Sequence, residues 1–275
     1  MPAIPAVPDG PLRLVQLQHL ASGGKWRTEA MRSYRTPLLL WFTRGQGRIT
    51  VSGVTRGYGP HNAIFIPGGT MHGFEVASKV FGTAIFFAEP TADLPAEPCH
   101  LRIRQTRYQS ELNGLVESLR QEAEGDRPDK ERAIAHYGGL VAVWMARQRI
   151  LAAAQPAESD EQGLARRYTE AIESQLHAGR SLADYAEYLG VAPTRLSEIC
   201  CRTCGRPAAD LLADRLAFEA RRLLLDESLS VDQVSELLGY PSRGDFDRDF
   251  GAQAGESPGQ FRDRRTVPDA APRAG

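Results

Sequence analysis

Ser181-Leu-Ala-Asp-Tyr-Ala-Glu-Tyr-Leu-Gly190 and Ser230-Val-Asp-Gln-Val-Ser-Glu-Leu-Leu-Gly239 are two copies of one pattern, 49 residues apart. After one inserted residue the match resumes at an offset of 50, pairing Leu196 with Phe246, Cys200 with Phe250 and Gly205 with Gly255. Each copy opens on a serine with Asp184 or Gln233 three residues later, the spacing of a capping box. Each first helix should end at its glycine, where the left-handed conformation costs no Cβ strain. A short helix, a glycine turn and a second short helix make a helix-turn-helix unit, so the pattern predicts two. Between them, Pro207 to Asp226 runs without a breaker. About 19 residues at ~1.5 Å each give a rod of ~28 Å, close to the ~34 Å between successive major-groove turns of a duplex. A plain helical bundle, in which the repeat serves packing alone, would read the same way at this point.

The first 90 residues read as β structure. Leu38 to Thr43, Arg48 to Ser52, Ala63 to Ile66 and Val80 to Phe87 are apolar or alternating runs. Gly45, Gly47, Gly57-Tyr58-Gly59-Pro60 and Pro67-Gly68-Gly69 separate them, as in a sandwich or barrel. Two helices are predicted next, over Arg107–Glu124 and Lys130–Ala154. In the first, Leu112, Leu115, Val116 and Leu119 form one stripe, which either mediates a dimer or covers the flank of the β region. Periodicity is lost over residues 153–163, the expected linker. At 275 residues and 30.2 kDa, with 42% hydrophobic and 24% charged residues, the chain fits two ordinary domains. No stretch approaches the ~18 apolar residues of a membrane span, and the proline-broken start MPAIPAVPDGP lacks a basic n-region. Four cysteines, three of them crowded at Cys200, Cys201 and Cys204, make no disulfide framework, so the cytoplasm is the expected location.

Residues 181–265 resemble the DNA-binding domain of the AraC/XylS family of transcriptional regulators. The resemblance is carried by Ala186-x-x-x-Gly190, Leu196, Gly205, the run Arg215-Leu-Ala-Phe-Glu-Ala-Arg-Arg-Leu-Leu, Leu238-Gly239-Tyr240, Phe246, Phe250 and Gly255-Glu-Ser-Pro258-Gly-Gln-Phe261-Arg262. Upstream, Gly45 and Pro67-x-Gly69-x-x-His72 resemble a cupin barrel. The implied fold is α+β in two domains. Residues 1–152 would form a cupin-like β-barrel with a helical extension that senses an effector or dimerises, and 164–265 an all-α domain with two helix-turn-helix motifs. By the same resemblance the first recognition helix, Pro193 to Cys204, would present Thr194, Arg195, Ser197, Glu198 and Arg202 to DNA. The second, Ser242 to Gln253, would present Arg243, Asp245, Asp247 and Arg248. Arginine can fork onto guanine, and a carboxylate can accept from the cytosine amino group. Arg166, Arg167, Arg262, Arg264 and Arg265 would flank that face.

Two features limit these expectations. Residues 181–265 hold 11 arginines and no lysine against 15 acids, whereas residues 1–152 hold 18 basic residues against 13 acids. A negative domain has little to offer phosphates, so DNA binding should be weak or depend on dimerisation. The resemblance also puts Arg32, Tyr34 and Leu38 where metal-binding cupins carry ligands, with His72 at the remaining ligand position. One imidazole does not hold a catalytic metal, so no metal or cofactor is expected. Arg32, Tyr34 and His72 are instead expected to face a barrel interior sized for a small molecule, Arg32 suiting an anion; the alternative leaves Arg32 in solvent and Tyr34 in ordinary strand packing. Cys200 shares its repeat position with Phe250 and should be core. The expected protein is thus a promoter-binding regulator with a small-molecule effector, a homodimer working with RNA polymerase. Its competitors are a metal-dependent cupin enzyme with a vestigial helical tail and a regulator acting through a protein partner.

Overall fold

The computed structural model describes residues 12–22, 25–88, 94–152 and 157–266. Among them the N-terminal half contains β1 (Leu12–Gln16), α1 (Leu17–Ala21), β2 (Leu38–Arg44), β3 (Gly47–Val51), β4 (Val54–Tyr58), β5 (Asn62–Ile66), β6 (His72–Phe74), β7 (Phe81–Phe87), β8 (Cys99–Arg102), α2 (Thr106–Glu124) and α3 (Lys130–Leu151). The strands make two antiparallel sheets, ordered β1-β7-β2-β5-β8 and β4-β3-β6. Leu38, Leu40, Phe42, Ile64 and Phe86 from the larger sheet meet Ile49, Tyr58 and Phe74 from the smaller one in a single core. The alternate residues Leu39, Trp41, Phe65 and Ile85 point the other way, under α2 and α3. Both faces of the larger sheet are therefore covered, which is why β2 reads as an unbroken apolar run. Trp41 donates from Nε1 to Asn113 Oδ1 of α2 at 2.8 Å and meets Trp144 of α3 edge-on at 6.4 Å.

The leucine stripe of α2 belongs to this second layer. Leu112 and Leu119 are fully buried in the cluster beneath the sheet, with Leu115 and Val116 packed against it. As a dimer surface the stripe is thereby corrected, because the outer face of β2, β5 and β7 would otherwise meet water. The large apolar residues exposed on this side are Leu140, Ile150 and Leu151 of α3.

The C-terminal half is helical: α4 (Asp160–Gln175), α5 (Leu182–Tyr188), α6 (Pro193–Cys204), α7 (Ala208–Leu224), α8 (Val231–Leu238), α9 (Arg243–Ala254) and α10 (Pro258–Thr266). Ser181 with Asp184, and Ser230 with Gln233, form the two predicted capping boxes, and Gly190 and Gly239 follow their helices at φ +70° and +80°. α5–α6 and α8–α9 are the two helix-turn-helix units. Cys200 is buried at the position Phe250 takes in the second unit, and Cys201 is exposed. α4 begins inside the stretch expected as linker, because Ser159 and Gln162 form a third capping box; residues 153–156 of that stretch lie outside the described residues. α7 serves both units. Ala208, Leu211 and Leu212 enter the core of the first and Ala220 and Leu224 that of the second.

Removing a buried leucine side chain from a packed layer costs on the order of 2–5 kcal/mol. Leu112→Ala should therefore lower the thermal midpoint clearly and leave the oligomeric state unchanged. Calorimetry and sedimentation together check this; a dissociated oligomer with unchanged stability would return the stripe to a dimer interface.

Candidate nucleic-acid interface

In α6, Leu196, Ile199, Cys200 and Cys204 face the core, leaving Thr194, Arg195, Glu198 and Arg202 on the exposed side. Ser197 is turned inward, where its Oγ accepts from the Ala208 backbone N–H at 3.4 Å, at the start of α7. In α9, Phe246 and Phe250 are buried, and Arg243, Asp245, Asp247 and Arg248 line the partly open side. Asp245 helps start the helix: its backbone N–H donates to Ser242 Oγ at 3.1 Å, and its carboxylate accepts from that hydroxyl at 2.7 Å.

Every arginine on these two helices is already paired. Arg202 forks onto Glu161 of α4, Nη2 to Oε1 at 2.8 Å and Nε to Oε2 at 3.1 Å, while Arg195 reaches the same carboxylate at 3.5 Å and Glu198 at 3.7 Å. Arg243 binds Asp247 at 2.7 Å and Asp232 of α8 at 2.9 Å. Arg248 binds Asp245 at 2.8 Å and Asp249 at 3.3 Å. The candidate interface thus closes on itself through ion pairs of 2.7 to 3.7 Å. Of the expected flanking arginines, Arg166 is committed to Glu158 and Glu170, Arg262 donates to the Leu224 carbonyl at 3.1 Å, Arg264 pairs with Glu256, and Arg167 is exposed. The side chain of Arg265 lies outside the described residues.

The N-terminal half is docked beside this surface. The segment from Trp26 to Tyr34 crosses both units. Trp26 meets Phe261 edge-on at 6.2 Å and lies under Arg221 at 4.9 Å, and the Met31 N–H donates to Asp214 Oδ2 at 2.9 Å. Arg215 is buried in α7 between Glu173 at 2.7 Å and Glu219 at 3.0 Å. Arg32 and His72 face each other across an antiparallel bridge and are fully buried, with the Arg32 guanidinium 5.7 Å from the Phe218 ring. Tyr34 packs on His72, Phe86 and Phe218 at 5.2–5.9 Å.

Arg32 and His72 therefore form a seam against α7 together with Tyr34, which also packs on the core between the sheets, where stacked Phe42 and Tyr58, 3.9 Å apart, take up space. Tyr34 alone of the three borders an open groove, of about 880 Å³. Sequence reasoning missed a cavity of about 500 Å³ between the sheets and α4, bordered by Arg56, His100, Gln162, Arg166 and Thr169. These residues come from β4, β8 and α4, far apart in the chain, and no spacing announces them. Among the described residues no three His, Cys, Asp or Glu side chains converge as metal ligands.

The helix-turn-helix domain family matches residues 185–264. This part of the chain is an AraC-type helix-turn-helix domain. Such a domain is the DNA-binding part of a transcription regulator, and the protein is a regulator of that kind. Similar solved structures include the C-terminal domain of AraT, a response regulator from Geobacillus stearothermophilus, 26% identical over 42% of this chain and 97% of that one, with a TM-score of 0.37. Unsaturated fatty acid-bound ToxT from Vibrio cholerae is 9% identical over 91% of this chain and 94% of its own, with a TM-score of 0.43. A DNA-binding transcriptional dual regulator from Escherichia coli K-12 is 23% identical over 41% of this chain and 96% of its own, at 0.32. No curated protein matches the chain. No helix among the described residues is long and apolar enough to cross a membrane.

Burial, reinforced by the Arg32 cation, pushes the His72 imidazole down to about 3, so it stays neutral with Nδ1 bonded to the Thr70 carbonyl at 2.8 Å. Burial likewise lowers His100, to about 4. The unfolded chain takes up these protons near pH 6.5 while the native state refuses them, so stability is full above pH 6.5 and falls as pH drops toward 3. Denaturation midpoints at pH 7.5, 6 and 5 should decline, and His72→Asn should flatten the decline. An unchanged slope in the variant would mean that His72 is protonated in the folded protein.

Proposed function

We propose that α6 and α9 are the reading helices of a promoter-binding regulator whose N-terminal half, 1–152, responds to a small-molecule effector and supports a homodimer, with 164–265 contacting DNA beside RNA polymerase. The observation that carries this is the shared construction of the two units: each sets a polar, arginine-bearing helix outward on a buried aromatic or aliphatic base, and one helix, α7, joins them. The reading residues would be Thr194, Arg195, Glu198 and Arg202 in the first unit and Arg243, Asp247 and Arg248 in the second, with Ser197 and Asp245 supporting their helices. The cavity of about 500 Å³ is the best candidate for the effector, since Arg56, His100 and Arg166 give it polar groups beside apolar walls. Arg32, Tyr34 and His72 then connect that half to α7 through the seam.

The charges rank the two units. Three aspartates stand on α9 itself, and Asp232 of α8 gives Arg243 a second carboxylate, so its arginines have strong local competitors. A carboxylate beside phosphate is repelled, and one that meets no amino group loses its water without compensation. The first unit should carry most of the base discrimination and the second act as a salt-sensitive clamp. The acidity of α9 also supports a second reading, in which that unit meets a protein partner.

Selection of bound genomic fragments with the full-length protein tests the function. On the selected site, Arg195→Ala or Arg202→Ala should cost about 1–3 kcal/mol where the arginine reads a guanine, and more than Arg248→Ala. Asp247→Asn should strengthen binding to operator and scrambled duplex alike. Abolished binding to the operator alone would make Asp247 a base reader and reverse the ranking.

A further inference from the structure

Glu161 is the second residue of α4, outside both helix-turn-helix units, yet its carboxylate lies against the two arginines of α6. Arg195 and Arg202 are seven residues apart, two turns along one helix face, so a single side chain can span them. The fork on Arg202 has the geometry with which arginine takes phosphate or a guanine edge. A role in starting α4 does not require this reach, because Asp160 supplies an acid in the same turn and Ser159 with Gln162 caps the helix.

We propose that Glu161 is an internal competitor for DNA, an anion that occupies the guanidinium groups of the first reading helix until a duplex displaces it. The proposal rests on the reading of α6 as a recognition helix. The grip is weak enough to be broken: Arg195, Arg202 and Glu161 are 50%, 47% and 38% exposed, and an exposed ion pair is worth a factor of up to about five in an equilibrium. Two such pairs, together with one carboxylate held close to phosphates, lower DNA affinity by roughly three- to thirtyfold. The position of Glu161 also makes this tie a point of control. Its neighbours Gln162, Arg166 and Thr169 border the cavity against the sheets. A shift of α4 driven from that cavity carries Glu161 with it, tightening or releasing both arginines at once.

The test measures binding of the full-length wild type, Glu161→Gln, Arg202→Ala and the double variant to the selected operator and a scrambled duplex, at several salt concentrations. Glu161→Gln should bind both duplexes three- to thirtyfold more tightly, with a salt dependence steeper by about one to two released ions. Arg202→Ala should cost more affinity in the Glu161→Gln background than in the wild type, because the freed arginine does more there. Glu161→Asp, one methylene shorter and still acidic, should move affinity in the same direction while keeping the charge at the helix start. Unchanged affinity, or a smaller cost of Arg202→Ala in the Glu161→Gln background, overturns the proposal; the second result would make Glu161 a support that orients the arginine. Wild-type binding with an unmoved Glu161→Gln removes this inference alone, whereas failure of every form to bind any selected fragment removes the DNA-reading assignment and the inference together.

Discussion

The ion pair between Arg215 and Glu173 holds the C-terminal half in its arrangement. The guanidinium is buried in the middle of α7, and although burial works against its charge, Glu173 and Glu219 more than offset this and hold its pKa above the usual value. Removing one partner of such a pair leaves an uncompensated buried charge, typically at a cost of about 3–5 kcal/mol. The contact fixes α7 to α4, and α7 also packs against α5, α6, α8, α9 and α10. Its first turns enter the core of the first unit, its last turns that of the second, and Asp214, Phe218 and Arg221 meet the N-terminal segment in between. Two short units that could not bury a core alone are thereby made into one body.

The same helix explains why the N-terminal half can matter to DNA. Trp26 sits against the second unit, Met31 is bonded to Asp214, and Thr55 Oγ1 reaches the Cys204 carbonyl at the end of α6 at 3.4 Å. The seam also holds groups with unmet bonding capacity: among the described residues, Nη1 of Arg32 and Nε2 of His72 are buried without a hydrogen-bond partner. Each such group costs about 1–3 kcal/mol. Hydration would recover that energy on opening, so the closed arrangement is less firm than its apolar contacts suggest. On the outer surface, ion pairs join Glu161, Asp232, Asp245, Asp247 and Asp249 to the four arginines of α6 and α9. They reconcile a net-acidic domain with phosphate binding, because the cations are present but guarded.

What is legible in the sequence is whatever is encoded locally. The serine caps, the positive-φ glycines and the apolar spacing of the repeat each depend on residues within one turn of each other, and the bounds of α6 fall at Pro193 and Cys204 as expected. The strands β1, β4, β6 and β8 escape notice for equally local reasons. β4 carries Gly57 inside what reads as turn punctuation, β6 has three residues, and β1 follows a proline-rich start. The seam is hidden because a strand pattern gives alternation but not which edge a distant helix will cover, so Arg32 and His72 read as cavity residues although Arg32 faces Phe218. Glu161 is invisible for the same reason: its partners lie 34 and 41 residues away and only packing of α4 on α6 brings them within reach.

In the proposed function α7 holds the two units as one rigid body that meets one face of a duplex. Hydroxyl-radical footprinting of the full-length protein on its selected operator, and on the same operator with five base pairs inserted between the protected segments, tests it directly. The expected footprint is two protected patches about one helical turn, roughly 10 base pairs, apart on one face, with one patch lost after the insertion. A single patch on the original operator, or two patches that move apart with the insertion and remain equally protected, would contradict it.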